Sequence, residues 1–352
     1  MRIYKKLFDK IVEPENLFSA WDKFRQGKRH KTDVRKFEEN LEQNIFQMHR
    51  ELKDKIYEHG PYEDFLIADP KRRHIHKAKV RDRILHHAIF RILNPIFEPS
   101  FVPFSFSCRI GKGTHRGVEA LRSMLRKESR NNTRSCYILK CDVRKFFDSV
   151  DHDILISILE RRIRDSDMMW LLRTIIGSYA SELPNLFHQS SQGIPIGNLT
   201  SQLFANIYMN ELDQFIKHEL KVKYYARYTD DLVIISKDRR YLEDLVPKLN
   251  AYLKDKLRLN FHPDKVDIHF YSKGVDFLGY VAFPHHVLLR KRTKRRILRK
   301  FRDKIEDYKR GEATKESVEA SLQSYLGVLS HSNAHILSTN LKNYFWFTIS
   351  KR

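Results

Sequence analysis

The stretch YARYTDDLVIISKD, Tyr225 to Asp238, places two adjacent aspartates, Asp230 and Asp231, between aromatic residues and an apolar run. Tyr, Val and Ile at this density are typical of a strand in a sheet. Neighbouring residues of one strand point to opposite faces, so both carboxylates reach one point only where a tight turn joins two strands. The stretch therefore predicts a hairpin whose turn either shares a proton between two carboxylates or binds a divalent cation, for which Mg²⁺ suits the oxygen ligands.

A third carboxylate follows another apolar strand. In YILKCDVRKFFDSVD, Tyr137 to Asp151, Asp142 comes directly after the strand pattern and opens an acidic turn. Three strand-end carboxylates suit two Mg²⁺ ions that clamp the attacking and leaving oxygens of a phosphoryl transfer. Each piece also has an ordinary structural explanation, since an Asp-Asp pair occurs in turns and Asp142 could cap a helix. Taken together with the charge of the chain, the three aspartates predict nucleotidyl transfer.

The charge of the chain points to a polyanionic partner. Lys and Arg outnumber Asp and Glu by 66 to 44 in 352 residues, a formal net charge of +22. Nucleic acid is favoured over an acidic membrane surface, because the basic residues are spread through the chain and not gathered in a terminal tail. No apolar run reaches the roughly 18 residues of a membrane span, and the start of the chain is charged, unlike a signal peptide. We expect a cytoplasmic protein that does not contact a membrane.

Helical and strand patterns alternate along the chain and predict an α+β fold. Residues 17–59 are helical in pattern. A strand, then a basic hairpin after Pro70 and then a helix are predicted next, and short strands follow the paired aspartates. From Arg290 to Arg310 the chain carries twelve Lys or Arg residues over a helical apolar period. This segment predicts an amphipathic helix whose basic outer face contacts nucleic acid, although a solvated charged face is the simpler alternative.

With these motifs in hand, the chain resembles a reverse transcriptase. KCDVRKFFDSVDHDIL is similar to the first catalytic motif of that family, YTDD to the second and FLGY to the primer grip, while PKRRHIHKAKVRDRILHHAIF and SFSCRIGKGTHRGVEAL resemble its fingers motifs. The resemblance implies a right-hand polymerase that copies template RNA into cDNA from deoxynucleoside triphosphates and binds the RNA/cDNA duplex. Its implied parts are a helical N-terminal extension (1–60), fingers (61–135, with elements near 155–190), a palm (136–285) and a helical basic thumb (286–352).

The resemblance also assigns roles to residues. It implies that Asp142, Asp230 and Asp231 bind two Mg²⁺ ions per active site, with the Val143 carbonyl as a further ligand. It implies that Phe147 crowds a ribose 2′-hydroxyl, that Lys71 and Arg73 hold the triphosphate, and that Lys265 donates a proton to pyrophosphate. Nucleic-acid contacts are expected, from the fingers and from the basic helix, at Arg109, Lys112, Arg290, Lys291, Arg292, Lys294, Arg295 and Arg296.

The stretch IGNLTSQ, Ile196 to Gln202, narrows the resemblance. Most of the family carries Gln where this chain has Ile196 and Pro where it has Gln202, while Gly197 and the following Ser are kept. This version is similar to the reverse transcriptases of diversity-generating retroelements. It implies error-prone copying at template adenines in mutagenic retrohoming, a small basic accessory protein and a bacterial or phage origin. A branched alkyl group cannot hydrogen-bond as an amide does, so base selection would depend more on shape; the simpler alternative is that Ile196 packs a loop.

Two other readings stay open at this point. The first is a reverse transcriptase of ordinary fidelity from a group II intron, a retron or a defence system. The second, from another class, is an RNA-binding maturase or chaperone with an idle polymerase site. The carboxylate trio argues against idleness, because an unused site would be free to lose it.

Overall fold

Five helices form the N-terminal part of the chain in this computed structural model, which describes residues 2–69, 72–179 and 191–349. They bury an apolar cluster to which Leu17, Trp21, Ile84 and Leu85 contribute fully buried side chains. The long fifth helix packs against the first three helices, so it forms the centre of this helical layer. The helices are α1 (Leu7–Val12), α2 (Pro14–Phe24), α3 (Thr32–Glu38), α4 (Leu41–Lys53) and α5 (Val80–Phe97).

An antiparallel hairpin separates α4 from α5. Its strands are β1 (Glu63–Ile67) and β2 (Arg73–Lys77), and Phe65 pairs with Ile75 in the register. Every residue of β1 is exposed, so the hairpin projects from the helical layer instead of joining the core. The strand predicted before Pro70 is confirmed as β1. The hairpin predicted after Pro70 is wrong in its bounds, because the described chain after Pro70 supplies one strand, β2, which pairs with β1.

A four-stranded antiparallel sheet in the order β4-β5-β3-β6 lies at the centre of the chain. Its side chains alternate between two apolar clusters: Leu139 and Cys141 join the cluster of the N-terminal helices, whereas Ile138 and Val233 face the opposite cluster. Helices therefore cover both faces and leave the strand ends as the accessible edge. The strands and helices of this region are α6 (Thr114–Glu128), β3 (Tyr137–Asp142), α7 (Phe146–Ser149), α8 (His152–Glu160), α9 (Ser166–Gly177), α10 (Leu199–Gln214), β4 (Tyr224–Tyr228), β5 (Asp231–Ser236), α11 (Arg239–Leu257) and β6 (Asp267–Phe270).

A small three-stranded sheet and a C-terminal helical unit complete the described chain. The sheet comprises β7 (Val275–Phe277), β8 (Tyr280–Ala282) and β9 (Val287–Leu289), paired antiparallel in that order. The C-terminal helical unit comprises α12 (Lys291–Arg310), α13 (Lys315–Leu329) and α14 (His335–Ile349), and it has its own apolar cluster centred on Phe301 and Phe345. The predicted amphipathic helix after Arg290 is thus α12.

The predicted α+β class is confirmed, with small antiparallel sheets set among many helices. The division into an extension, fingers, palm and thumb at residues 60, 135 and 285 stays a prediction. Among the described helices, none combines the length and the apolar character that a membrane crossing needs.

Candidate active site

The turn between β4 and β5 carries the paired aspartates. Thr229 and Asp230 form the turn, and Tyr228 faces Asp231 across the two strands. Thr229 has a φ of +55°, a left-handed conformation that closes the turn tightly. The hairpin that the sequence predicts is confirmed, and its turn sets both carboxylates at the end of the sheet.

Asp142 reaches the same place from the neighbouring strand. It is the last residue of β3 and the register partner of Asp231. The Val143 amide donates to the Asp230 carbonyl at 3.1 Å, which ties the end of β3 to the turn. Helix α7 begins only at Phe146, so Asp142 is a strand residue and the helix-cap alternative is wrong. Three carboxylates therefore lie together at one edge of the central sheet.

At this edge, burial and mutual repulsion disfavour the charged forms of Asp230 and Asp231. Burial raises the pKa of Asp231 to about 6, where Lys140 opposes the increase and the neighbouring Asp230 and Asp142 add to it. Burial, and then the charge of Asp142, also raises the pKa of Asp230. Carboxylates whose charged form is disfavoured by burial and by one another are typical of sites that bind a cation or transfer a proton.

Two lysines partly neutralise the edge in the absence of a bound cation. Lys265 Nζ lies 2.8 Å from Asp142 Oδ1, and Lys140 Nζ lies 3.5 Å from Asp231 Oδ2. Sequence reasoning missed Lys140, although its position two residues before Asp142 on the same strand puts it on the same face. It placed Lys265 near the nucleotide, and the structure brings that side chain to a predicted metal ligand.

The donor set fits a hard divalent cation. Asp231 Oδ1 is buried and has no hydrogen-bond partner, so this oxygen is available as a ligand. Carboxylate oxygens, with the Val143 carbonyl at the same strand end, are the ligands Mg²⁺ prefers. In the part of the chain that the structure describes, no three His, Cys, Asp or Glu side chains already stand together as a complete metal-binding group. A cation would have to displace the lysine partners.

Phe147 and the loop 191–198 are joined by backbone hydrogen bonds. The Ile194 amide donates to the Phe147 carbonyl at 2.8 Å, and the Gly193 amide donates to the Val150 carbonyl at 2.8 Å. The buried His152 ring contacts the Gly193 carbonyl at 2.7 Å and the Ser191 hydroxyl at 2.7 Å. Phe147, which is predicted to exclude a ribose 2′-hydroxyl, is therefore hydrogen-bonded through its backbone to the loop that contains Ile196.

Ile196 belongs to this loop and contacts the β1-β2 hairpin. Its carbonyl accepts a 3.3 Å hydrogen bond from the His76 amide of β2. Gly197 has a φ of +125°, and a Cβ there would lie 3.3 Å from Ile75 Cγ2, so the loop passes close to the hairpin. Ile196 is half-buried, and Gln202 lies half-buried in the first turn of α10. Their role in base selection stays a prediction.

Of the two predicted triphosphate ligands, Lys71 and Arg73, the structure describes Arg73. Arg73 begins β2, and its positive charge acts on Asp230 in the direction that lowers the carboxyl pKa. The hairpin therefore places a positive charge within electrostatic range of Asp230, and the role of Arg73 toward a triphosphate stays a prediction. Lys71 lies outside the described residues.

The predicted fingers contacts differ in exposure. The Arg109 side chain is only 6% exposed and donates to the Val102 and Ser105 carbonyls at 2.7 and 2.9 Å while pairing with Glu98. Its guanidinium thus holds a loop together and is directed inward. Lys112 is half-buried, and its ammonium group donates to the Pro103 carbonyl at 2.9 Å.

The predicted thumb contacts lie at the start of α12. Arg290 pairs with Asp276 and so fixes the helix to the small sheet. Further along α12, Arg299 and Lys300 pair with Asp69 beside the β1-β2 hairpin, with Lys300 Nζ 3.0 Å from Asp69 Oδ2. The remaining predicted cations are exposed or half-buried on the first turns of the helix: Lys291, Arg292, Lys294, Arg295 and Arg296.

Comparison with known proteins gives this arrangement a family. The family profile "Reverse transcriptase (RNA-dependent DNA polymerase)" matches residues 68–282, a segment that contains all three aspartates, the loop 191–198 and the small sheet up to β8. The chain belongs to the reverse transcriptase family. The family's match begins at the β1-β2 hairpin and ends before the C-terminal helical unit, so the central sheet and its covering helices are the shared part.

Similarity to individual proteins covers part of the chain and part of each relative. The chain is 28% identical over 260 residues to protein YkfC of Escherichia coli, covering 64% of this chain and 66% of YkfC. It is 27% identical over 228 residues to the group II intron-encoded protein LtrA of Lactococcus lactis, covering 62% of this chain and 36% of LtrA. A solved structure of apo telomerase from Candida tropicalis aligns with 70% of this chain at a TM-score of 0.49 and 13% identity. The matched reverse transcriptase segment thus spans no more than about two thirds of either curated relative.

Proposed function

We propose that this member of the reverse transcriptase family is an RNA-directed DNA polymerase. The observation that carries the proposal is the convergence of Asp142, Asp230 and Asp231 at one sheet edge, where burial and mutual repulsion raise the pKa of two of them. Such a site suits cations and the phosphates they accompany. The net charge of +22 suits a template RNA and an RNA/cDNA duplex.

The side chains of the chain account for the parts of a nucleotidyl transfer. Asp142, Asp230 and Asp231, with the Val143 carbonyl, would hold two Mg²⁺ ions, which supply Lewis-acid stabilisation of the attacking and leaving oxygens. Arg73 would bind the triphosphate of a deoxynucleotide from the hairpin side, since its charge already acts on Asp230. Phe147 would exclude a ribose 2′-hydroxyl. Lys265, held beside Asp142 in the free protein, would be within the site to protonate the departing pyrophosphate.

The test of this proposal is primer extension on an RNA template. The double substitution of Asp230 and Asp231 by Ala should abolish extension while RNA binding is largely retained, because the basic surface is unchanged. Extension at the wild-type rate by this variant would refute the two-metal assignment.

The finer proposal is error-prone copying at adenines in mutagenic retrohoming. Its support is the Ile196 and Gln202 version of the loop, together with the contact that Ile196 makes with the β1-β2 hairpin. Sequencing of cDNA made by the wild type and by Ile196→Gln tests it: errors should concentrate at template adenines in the wild type and decline in the variant. Errors spread evenly over the four template bases would refute it. The accessory protein and the bacterial or phage origin stay predictions.

The second candidate is a group II intron reverse transcriptase of ordinary fidelity, and the similarity to LtrA favours it. The same cDNA experiment separates the two, because ordinary fidelity predicts few errors and no adenine bias. An RNA-binding maturase or chaperone with an idle site is less well supported, since all three aspartates are present and meet at one edge.

A further inference from the structure

A fully buried ion pair lies behind the catalytic turn. Asp213, near the end of α10, and Arg227 in β4 have no exposed side-chain surface. Arg227 Nε and Nη2 donate to the two carboxylate oxygens at 2.7 and 2.6 Å, and the Tyr225 hydroxyl donates to the same carboxylate at 2.6 Å. Removing two charges from water is costly, and a well-packed apolar pair is often no less stable. Stability alone therefore does not explain why this ion pair is buried here.

The remaining donors of Arg227 lead to the turn. Arg227 Nη1 donates to the Thr229 carbonyl at 3.0 Å, and Nη2 also donates to the Ser105 hydroxyl at 3.1 Å. Thr229 immediately precedes the two aspartates. One guanidinium thus connects the end of α10, the loop around Ser105 and the backbone of the turn, which only a planar group with several donors can do.

Thr229 is held at a second point. Its hydroxyl donates to the Ser107 hydroxyl at 2.7 Å, and the Ser107 carbonyl accepts from Asn206 Nδ2 of α10 at 2.9 Å. A β-branched residue rarely adopts the left-handed conformation seen at Thr229, and it persists only where the surroundings fix it. The two hydrogen bonds supply that restraint. They also give Thr a role at this position, because a side chain without a hydroxyl could not make the second bond.

We infer that Arg227 is a positioning residue, and that Arg227 and Ser107 together set the turn at Thr229 so that Asp230 and Asp231 meet Asp142. The inference rests on the proposed polymerase function. Loss of either restraint would move the two carboxylates relative to Asp142, and cation binding depends on their mutual distance. The basic residues at the start of α12 take no part in these buried bonds, so the affinity for nucleic acid should not change.

Three variants test this inference without leaving a buried charge unpaired. Thr229→Val and Ser107→Ala each remove the hydroxyl bond with little change in shape, and Arg227→Lys keeps the charge opposite Asp213 but loses the planar fork. The measurements are Mn²⁺ binding, followed by loss of the free-ion electron paramagnetic resonance signal, and the Mg²⁺ concentration for half-maximal primer extension. The dissociation constant for Mn²⁺ and the Mg²⁺ concentration for half-maximal extension should each rise about threefold to tenfold, as expected for the loss of one internal hydrogen bond. RNA affinity and KM for the primer–template should stay at the wild-type value.

Controls separate positioning from general damage. Thr229→Ser keeps the hydroxyl and should recover most of the cation affinity, and Thr229→Val combined with Ser107→Ala should be no worse than either alone, because both remove one bond. Thr174→Val is the matched control, since that hydroxyl bonds only to the Trp170 carbonyl of its own helix. Melting temperatures identify any variant that fails to fold.

The outcomes distinguish this inference from the proposed function. Wild-type Mn²⁺ affinity and Mg²⁺ dependence in folded Thr229→Val, Ser107→Ala and Arg227→Lys would overturn the positioning role, while loss of extension in the Asp230 and Asp231 double variant would still support the polymerase. Conversely, the wild type could bind Mn²⁺ more tightly than these variants and still never extend a primer. That result would refute the polymerase function and leave the positioning role intact.

Discussion

Lys265 pairs with Asp142 across the edge of the central sheet, with Nζ 2.8 Å from Oδ1. The ammonium group occupies the surroundings of a carboxylate that is proposed to bind Mg²⁺. Under the proposed mechanism, therefore, the lysine and a divalent cation would compete for the same oxygen, and the lysine would become available for pyrophosphate only after the cation had replaced it.

The first prediction follows from this competition. Lys265→Met should strengthen Mn²⁺ binding to the free protein, because Asp142 no longer has a cationic partner. The pair is partly exposed, so the gain should be at most about fivefold, the equivalent of about 1 kcal/mol. An electron paramagnetic resonance titration without nucleic acid measures it, with Lys273→Met as the control for net charge. Weaker Mn²⁺ binding in Lys265→Met would contradict the competition.

The second prediction concerns the cost of the site to stability. Burial raises the pKa of Asp231 to about 6, and one of its oxygens is buried without a partner. Asp231→Asn should therefore stabilise the cation-free protein by about 1 kcal/mol while primer extension is lost. Urea unfolding at pH 8 in the presence of a chelator measures the gain, and the exposed Asp244→Asn serves as control. A loss of stability in Asp231→Asn would show that the charge is well accommodated.

The third prediction is a pH dependence of folding. His86 in α5 is buried and stacks on His59, and burial, with His59, His87 and Arg83 nearby, lowers its pKa well below 6.5. The folded state keeps the imidazole neutral while the unfolded chain takes up a proton below about pH 6.5. Stability should therefore fall as the pH drops below about 6.5, by up to about 1.4 kcal/mol per pH unit from this group.

The measurement is urea unfolding between pH 5 and 8. His86→Leu should reduce the slope below pH 6.5, whereas the exposed His285→Leu should leave it unchanged. Equal slopes in the wild type and His86→Leu would mean that other buried histidines, such as His152, account for the effect.

The fourth prediction tests the basic face of α12. Lys294 and Arg295 are exposed on the first turns of the helix. Replacing both by Gln should weaken binding of RNA and reduce the slope of log affinity against log salt by about one per residue, because each contact to a phosphate releases about one counterion. Filter binding over a salt series measures it. Lys248→Gln on α11 is the control, because it removes a positive charge from another helix. An equal effect per charge in that variant would mean that net charge alone, and not contact at α12, explains the result.

The local parts of the fold and site were predictable from the chain. The aromatic residues before Asp230 and Asp231 and the apolar run after them predicted the hairpin, and the apolar run before Asp142 predicted a strand ending in a carboxylate. The helix after Arg290 followed from its 3.6-residue period. These predictions succeed because turn chemistry and periodicity act over a few residues.

The tertiary structure decided which groups meet. Lys140 pairs with Asp231 and Lys265 with Asp142, and Arg109, expected at the nucleic acid, is directed into a loop. The bond between Thr229 and Ser107 joins residues 122 positions apart, and no local spacing indicates it. By itself the sequence determined the carboxylates and the strands that carry them; the packing of distant segments determined the charges around them and the restraint on their turn, because such contacts depend on how the sheet and helices assemble.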